Sequence, residues 1–140
     1  MNLPDYTRNK YKNMTIEQIA VFEKILAQLK SFYEDTNVLV KKNPKEEMNT
    51  FKLKLINKVL VKANAIVGDS KPFNDFTEFD IDGDMPNNSD VAMILGQYIN
   101  CLEVIKKDNV HPYSGRWYWK TDKDAGSKEI STSAPADLKK

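Results

Sequence analysis

Between Val91 and Ile105 a large apolar residue returns every three or four positions: Val91, Ile94, Leu95, Tyr98, Ile99, Leu102 and Ile105. A strand would scatter these side chains over both of its faces, whereas a helix gathers them on one. Such a helix is one half of a contact, so the chain must supply other elements to cover its apolar face. Two further stretches have the same character. Thr15 and Gln18 have capping-box spacing. Ile19, Phe22, Leu26, Leu29 and Tyr33 follow, with Ile25 and Phe32 alongside, a stripe on a helix of about five turns. The polar run Glu34-Asp35-Thr36-Asn37 is expected to end it.

For the second helix, Asn43 is expected to be the N-cap, with Pro44 in the first helical position and Glu46 and Glu47 at the positive end of the dipole. Its apolar face is Met48, Leu55, Val59 and Ile66, widened by Phe51, Ile56, Leu60 and Ala63, and Gly68 is its stop. Val38-Leu39-Val40, between the two helices, is too short to assign as a strand. The third helix is expected to start at Asn88 or Ser89 and to end near Asp108-Asn109, with Lys106 and Lys107 suited to its last turn.

Residues 69–88 form a long connection with Phe73, Phe76 and Phe79 at three-residue spacing among carboxylates. Connections of that length inside a compact domain are functional or lie pinned over a core. Tyr113-Ser114-Gly115 reads as a turn and Arg116-Trp117-Tyr118-Trp119-Lys120 as a short strand or hairpin arm. In that strand Trp117 and Trp119 face one way, and Arg116, Tyr118 and Lys120 the other. The fold expected is a mainly α, three-helix domain over residues 1–120. Residues 1–14 form a basic extended arm, and residues 121–140 a flexible polar tail.

A chain of 140 residues is the size of one domain, and no apolar run reaches bilayer length. The start Met1-Asn2-Leu3-Pro4 does not read as a signal peptide, and the single Cys101 suits a reducing, cytoplasmic setting. Lys outnumbers Arg 19 to 2 and Asn is abundant, the usage of an AT-rich genome. In this the chain resembles the small accessory proteins of bacteriophages and other mobile elements. The resemblance implies a setting and no mechanism.

The net charge of +1 conceals a segregation. Residues 1–67 hold twelve Lys or Arg against seven Asp or Glu, and residues 68–90 one Lys against seven acids. Lys54, Lys58 and Lys62 fall at four-residue intervals on one helix face. The bland expectation is a solvated face, or mutual neutralisation of helix and loop. The sharper one is a basic surface offered to an acidic or phosphate-bearing ligand.

The acidic loop also invites a calcium reading. With Glu78 at position one, Asp80 and Asp82 fall at three and five, Gly83 at six and Asp84 at seven. Pro86 at nine and Ser89 at twelve break the pattern, so a polar loop with an Asx-turn is the competing expectation. Phe76 is a docking candidate within a triad that more simply pins the loop. Arg116, Trp117, Tyr118 and Trp119 suit base stacking and phosphate contact, or covering of a small core. Arg8 and Tyr11 repeat the aromatic–basic mixture at the other terminus.

No Gly-rich phosphate loop, metal-ligand cluster or nucleophile–base motif is present in the sequence, so a non-enzymatic protein without a cofactor is expected. Cys101 and His111 have no supporting motif. The leading expectation is an interaction protein that docks on or inhibits another macromolecule, which requires an exposed apolar patch. The alternative is a small-molecule binder that captures an anionic nucleotide-like ligand, for instance a host signalling nucleotide. Near-zero net charge argues against nucleic acid. A homodimer is expected if a strand edge or apolar helix face stays uncovered.

Overall fold

The computed structural model describes residues 14–121 and 130–136. Three helices, α1 (Ile16–Lys42), α2 (Thr50–Val67) and α3 (Asn88–Asp108), precede three short strands, β1 (Val110–Tyr113), β2 (Arg116–Trp119) and β3 (Ile130–Thr132). The strands form one antiparallel sheet in the order β1-β2-β3. The chain is therefore mainly helical, with a small sheet at its C-terminal end. Of the arm expected over residues 1–14, residues 1–13, including Arg8 and Tyr11, lie outside the described residues, and Met14 is buried in the core and bridged to Thr121.

The capping box of α1 forms as its spacing predicts: Thr15 Oγ1 accepts from the Gln18 N–H at 3.1 Å, and Gln18 Oε1 accepts from the Thr15 N–H at 3.0 Å. The expected end at residues 34–37 is corrected, because α1 continues through Val38-Leu39-Val40 to Lys42. Nothing in Glu34-Asp35-Thr36-Asn37 removes a backbone donor or demands a positive φ. Glu34 and Asp35 face solvent while Thr36 is buried, so the polar run sits in a helix without conflict. Asn43 then closes it, its N–H bonding Leu39 O at 2.8 Å.

The start of α2 is also corrected. Asn49, not Asn43, is the N-cap, with its Oδ1 accepting from the Lys52 N–H at 2.9 Å. The residues after Asn43 instead share backbone bonds with the segment that enters α3. Met48 N–H bonds Pro86 O at 3.0 Å, Asn88 N–H bonds Glu46 O at 2.9 Å, and Ser89 N–H bonds Pro44 O at 3.1 Å. Both asparagines carry capping chemistry, and a tertiary backbone partner decides between them. At the other end Gly68, with φ 52°, terminates α2 where its sequence position predicts. α3 is capped by Asn87, with Asp90 as the reciprocal partner.

α1 and α3 share the most extensive packing of any helix pair. Phe22 and Leu29 of α1, Leu60 of α2, and Leu95, Tyr98 and Leu102 of α3 are completely buried. Tyr33 of α1 packs beside Gly96 of α3, where an added Cβ would make ordinary contact with its ring at 3.4 Å. The sheet closes the open side of this pair. β1 and β2 are joined at Ser114 (φ 51°) and Gly115 (φ 80°), the two positive-φ residues of a tight hairpin turn. Register pairs Val110 with Trp119 and Trp119 with Ile130, so these three share the face turned to the helices.

Within the flexible polar tail expected over residues 121–140, the structure corrects residues 130–136, which form β3 and the segment after it. The correction lies on α3, where Glu103 and Lys106 are each only 3% exposed. Glu103 Oε2 accepts from the Ala136 N–H at 2.8 Å, and Lys106 Nζ donates to Ser133 Oγ at 2.9 Å. Lys30 reaches Glu103 Oε1 at 3.5 Å. Buried charges of this kind need partners, and residues 133–136 supply them. Glu103→Ala should therefore destabilise the fold by about 2–3 kcal/mol in urea titration, whereas Glu103→Gln, which keeps an acceptor for Ala136, should cost less.

Candidate functional site

The aromatic strand divides into two sides. Trp119 is 1% exposed, packs edge-on against Phe22 with centroids 5.2 Å apart, and donates its indole N–H to Glu23 Oε1. Lys106 Nζ lies 6.0 Å from its ring centroid. Trp117 is half-buried against the same core. A base has no free face of Trp119 to stack on, which corrects its assignment as a ligand-stacking residue. Arg116 and Tyr118 are on the opposite face of β2. Tyr118 is half-buried beside His111 across the strand pair, and Arg116 is exposed opposite Tyr113.

Phe76 is likewise engaged. It sits edge-on to Phe73 at 6.5 Å and to Phe79 at 5.1 Å, and all three pack on the helical core. α2 holds this loop with two asparagines seven residues apart. Asn57 Nδ2 donates to Phe79 O at 2.8 Å while Asn57 Oδ1 accepts from the Phe79 N–H at 2.9 Å. Asn64 Nδ2 donates to Thr77 O at 2.7 Å, and the Tyr98 hydroxyl donates to Asn64 Oδ1 at 2.7 Å. The loop thus runs antiparallel to α2, and Phe76 is held for packing.

The calcium candidates do not converge. Asp80 Oδ1 accepts from the Asp82 N–H at 3.1 Å and Asp84 Oδ2 from the Asp80 N–H at 2.7 Å, an Asx-turn and a closing bond within the loop. Among the described residues no group of three or more His, Cys, Asp or Glu is placed to hold a metal ion. Glu78, Asp80, Asp82 and Asp84 are corrected accordingly. Cys101 is half-buried with its Sγ 3.5 Å from Ser70 O, and burial pushes its thiol up, away from the thiolate form a nucleophile needs.

A groove between α1 and α3 is lined by Lys30, Tyr33, Glu34, Gly96, Ile99 and Asn100, none of them a sequence candidate, and two further grooves lie on the two flanks of α2. On the flank toward the loop, Lys54, Lys58 and Lys62 line an open groove of about 520 Å³ together with Asn57, Val61 and Glu78. Here the structure brings together three sequence candidates. No carboxylate among the described residues lies within 4.0 Å of any of these lysine nitrogens, so contact neutralisation by the acidic loop does not occur.

On the flank toward α1, a groove of about 390 Å³ is lined by Phe32, Leu39, Met48, Phe51, Leu55 and Ile56, with Asp35, Thr36 and Lys52. Phe51 is 70% exposed and Leu55 36% exposed. Periodicity assigned both to the buried face of α2, but Leu53, Ile56, Leu60, Ala63 and Val67 fill that face. Phe51 and Leu55 sit to one side of it, four residues apart and interleaved with Lys54 and Lys58. That interleaving is the signal that marks them in the sequence.

Asn57→Ala would strand two buried backbone groups of Phe79, so a loss of about 2–3 kcal/mol is expected in urea titration. Burial raises the Tyr98 hydroxyl above its ordinary value of 10.0. The raised value favours the neutral folded form, so its stabilisation holds below pH 10 and is lost as pH rises beyond it. Tyr98→Phe should flatten the alkaline limb of a stability–pH curve. Comparison of the chain with protein families, with curated proteins and with solved structures finds no match.

Proposed function

We propose that this chain is a non-catalytic docking protein that receives an amphipathic segment of a partner protein in the groove between α1 and α2. The observation that carries the reading is Phe51, a large aromatic side chain 70% exposed at the lip of an apolar groove. Exposed aromatic anchors beside a pocket are the usual centres of binding energy at protein interfaces. Val38, also on α1, is a further exposed apolar side chain.

The charge around the groove specifies the partner further. Lys41 and Lys42 close the last turn of α1, Lys52 lines the groove, and α2 contains no Asp or Glu. A segment with apolar side chains for the groove and acidic residues at its flanks satisfies both features. In the accessory-protein setting that the Lys and Asn usage implies, such docking acts by occupying or inhibiting a cytoplasmic host protein. The reading needs no cofactor. Nucleotide capture has less support, because Trp119 is occupied by Phe22 and Glu23.

The test is photo-crosslinking in the native host, with a benzophenone amino acid in place of Phe51 and, separately, of Met93, which is 59% exposed on α3. A discrete protein adduct at position 51 and none at 93 is expected. It should vanish when Leu55→Asp is added, with the circular dichroism spectrum and melting temperature unchanged. Equal adducts at both positions, or none at 51, would sink the reading.

A further inference from the structure

The sheet that closes the core has a second, outward face. Val110, Trp117, Trp119 and Ile130 take the face turned to the helices, so alternation puts His111, Tyr113, Arg116 and Tyr118 on the other. The register makes two cross-strand pairs of them, His111 opposite Tyr118 and Tyr113 opposite Arg116. The rings of His111 and Tyr118 lie 6.2 Å apart at 37°. Tyr113 is 65% exposed, and Arg116 and Ser131, which pairs with Tyr118, are exposed as well. The Lys120 N–H bonds Asn109 O at 2.8 Å, so the ladder runs one residue past Trp119 and Lys120 joins the outward face.

The large side chains of this face are aromatic or cationic, and β1, β2 and β3 contain no Asp or Glu. The whole-chain charge of +1 includes the acidic loop, but that loop is bound to α2 through Asn57 and Asn64. The sheet is seated instead on α1 and α3, through Trp119 and Ser133. The strands themselves therefore carry positive charge, which complements a polyanion. Successive outward positions are about 7 Å apart along a strand, and an open ladder face has no walls. A free nucleotide needs a pocket. An extended strand, whose bases stack one after another while its backbone meets cations, does not.

We infer that the outward face of the sheet binds single-stranded nucleic acid without reading its sequence. Tyr113 and the Tyr118–His111 pair are the stacking platforms for successive bases, and Arg116 and Lys120 meet the phosphates. Trp119 is not needed for this, because it serves the opposite face. The site is separate from the docking groove and does not rest on it. Phe22, against which the sheet packs, and Leu39, which lines the groove, lie roughly 25 Å apart along α1.

Fluorescence anisotropy of the full chain with a labelled oligothymidylate of about twelve nucleotides tests the inference. Saturable binding is expected at low salt, with log K falling against log salt at a slope of about −1.4, the value for two phosphate contacts on a single strand. Tyr113→Ala should weaken binding about tenfold, and Tyr113→Phe, which keeps the ring, should recover most of that loss. Arg116→Ala should make the salt slope shallower by about 0.7. Both residues are exposed, so the melting temperature should not move. Lys58→Ala/Lys62→Ala, on α2, should leave the affinity within about twofold. No binding at low salt overturns the inference. So does binding that is lost in Lys58→Ala/Lys62→Ala but kept in Tyr113→Ala/Arg116→Ala, which would put the polyanion on α2. Equal affinity for a duplex of the same length, or for thymidine monophosphate, overturns it too, because neither stacks successive bases on the sheet.

Discussion

A core of three amphipathic helices leaves sides that only non-helical chain can close, and such chain carries backbone donors and acceptors that cannot be buried unpaired. The fold depends on how that constraint is met. Polar side chains placed among apolar neighbours on the helices reach out and bind the closing segments. Asn57 takes both backbone groups of Phe79, Asn64 takes Thr77, Glu103 takes Ala136 and Lys106 takes Ser133. Each bond makes it possible for large apolar groups, Phe79 on one side and Trp119 on the other, to cover the helices. The asparagines and the buried charges thus serve the core as much as its leucines do.

This has a direct consequence for function. The residues whose chemistry is most suggestive in isolation are those the core requires. Trp119 covers Phe22 and satisfies its indole with Glu23, and Phe76 is packed between two phenylalanines. Among what the core leaves available is the outward side of α2, where Phe51, Leu55, Val61 and the lysines are exposed. Its two flanks differ in character, one apolar against α1 and one basic against the acidic loop.

The existence and order of the helices were legible because their period and caps are local. The Thr15–Gln18 box, Gly68 and the stripe from Val91 to Leu102 all behave as isolated sequence predicts. The boundaries at Thr36 and Asn43 were not legible, because a polar run is compatible with both a stop and a solvent-facing turn of helix. The third strand escaped for a related reason. Ile130-Ser131-Thr132 has almost no pattern of its own, and its place is set by Trp117, Tyr118 and Trp119 across the ladder.

Local chemistry by itself determined three helical faces, a hairpin turn at Ser114-Gly115 and a segregation of charge along the chain. Only the tertiary structure decided which of two asparagines caps α2, which aromatic side chains are consumed by packing, and which apolar residues remain outside. The physical reason is that a side chain's preference for burial is a property of the residue, while the space to bury it belongs to the whole fold. Phe51 and Phe22 have the same preference. Phe22 meets Trp119, and α2 turns Phe51 toward a groove that no described residue fills.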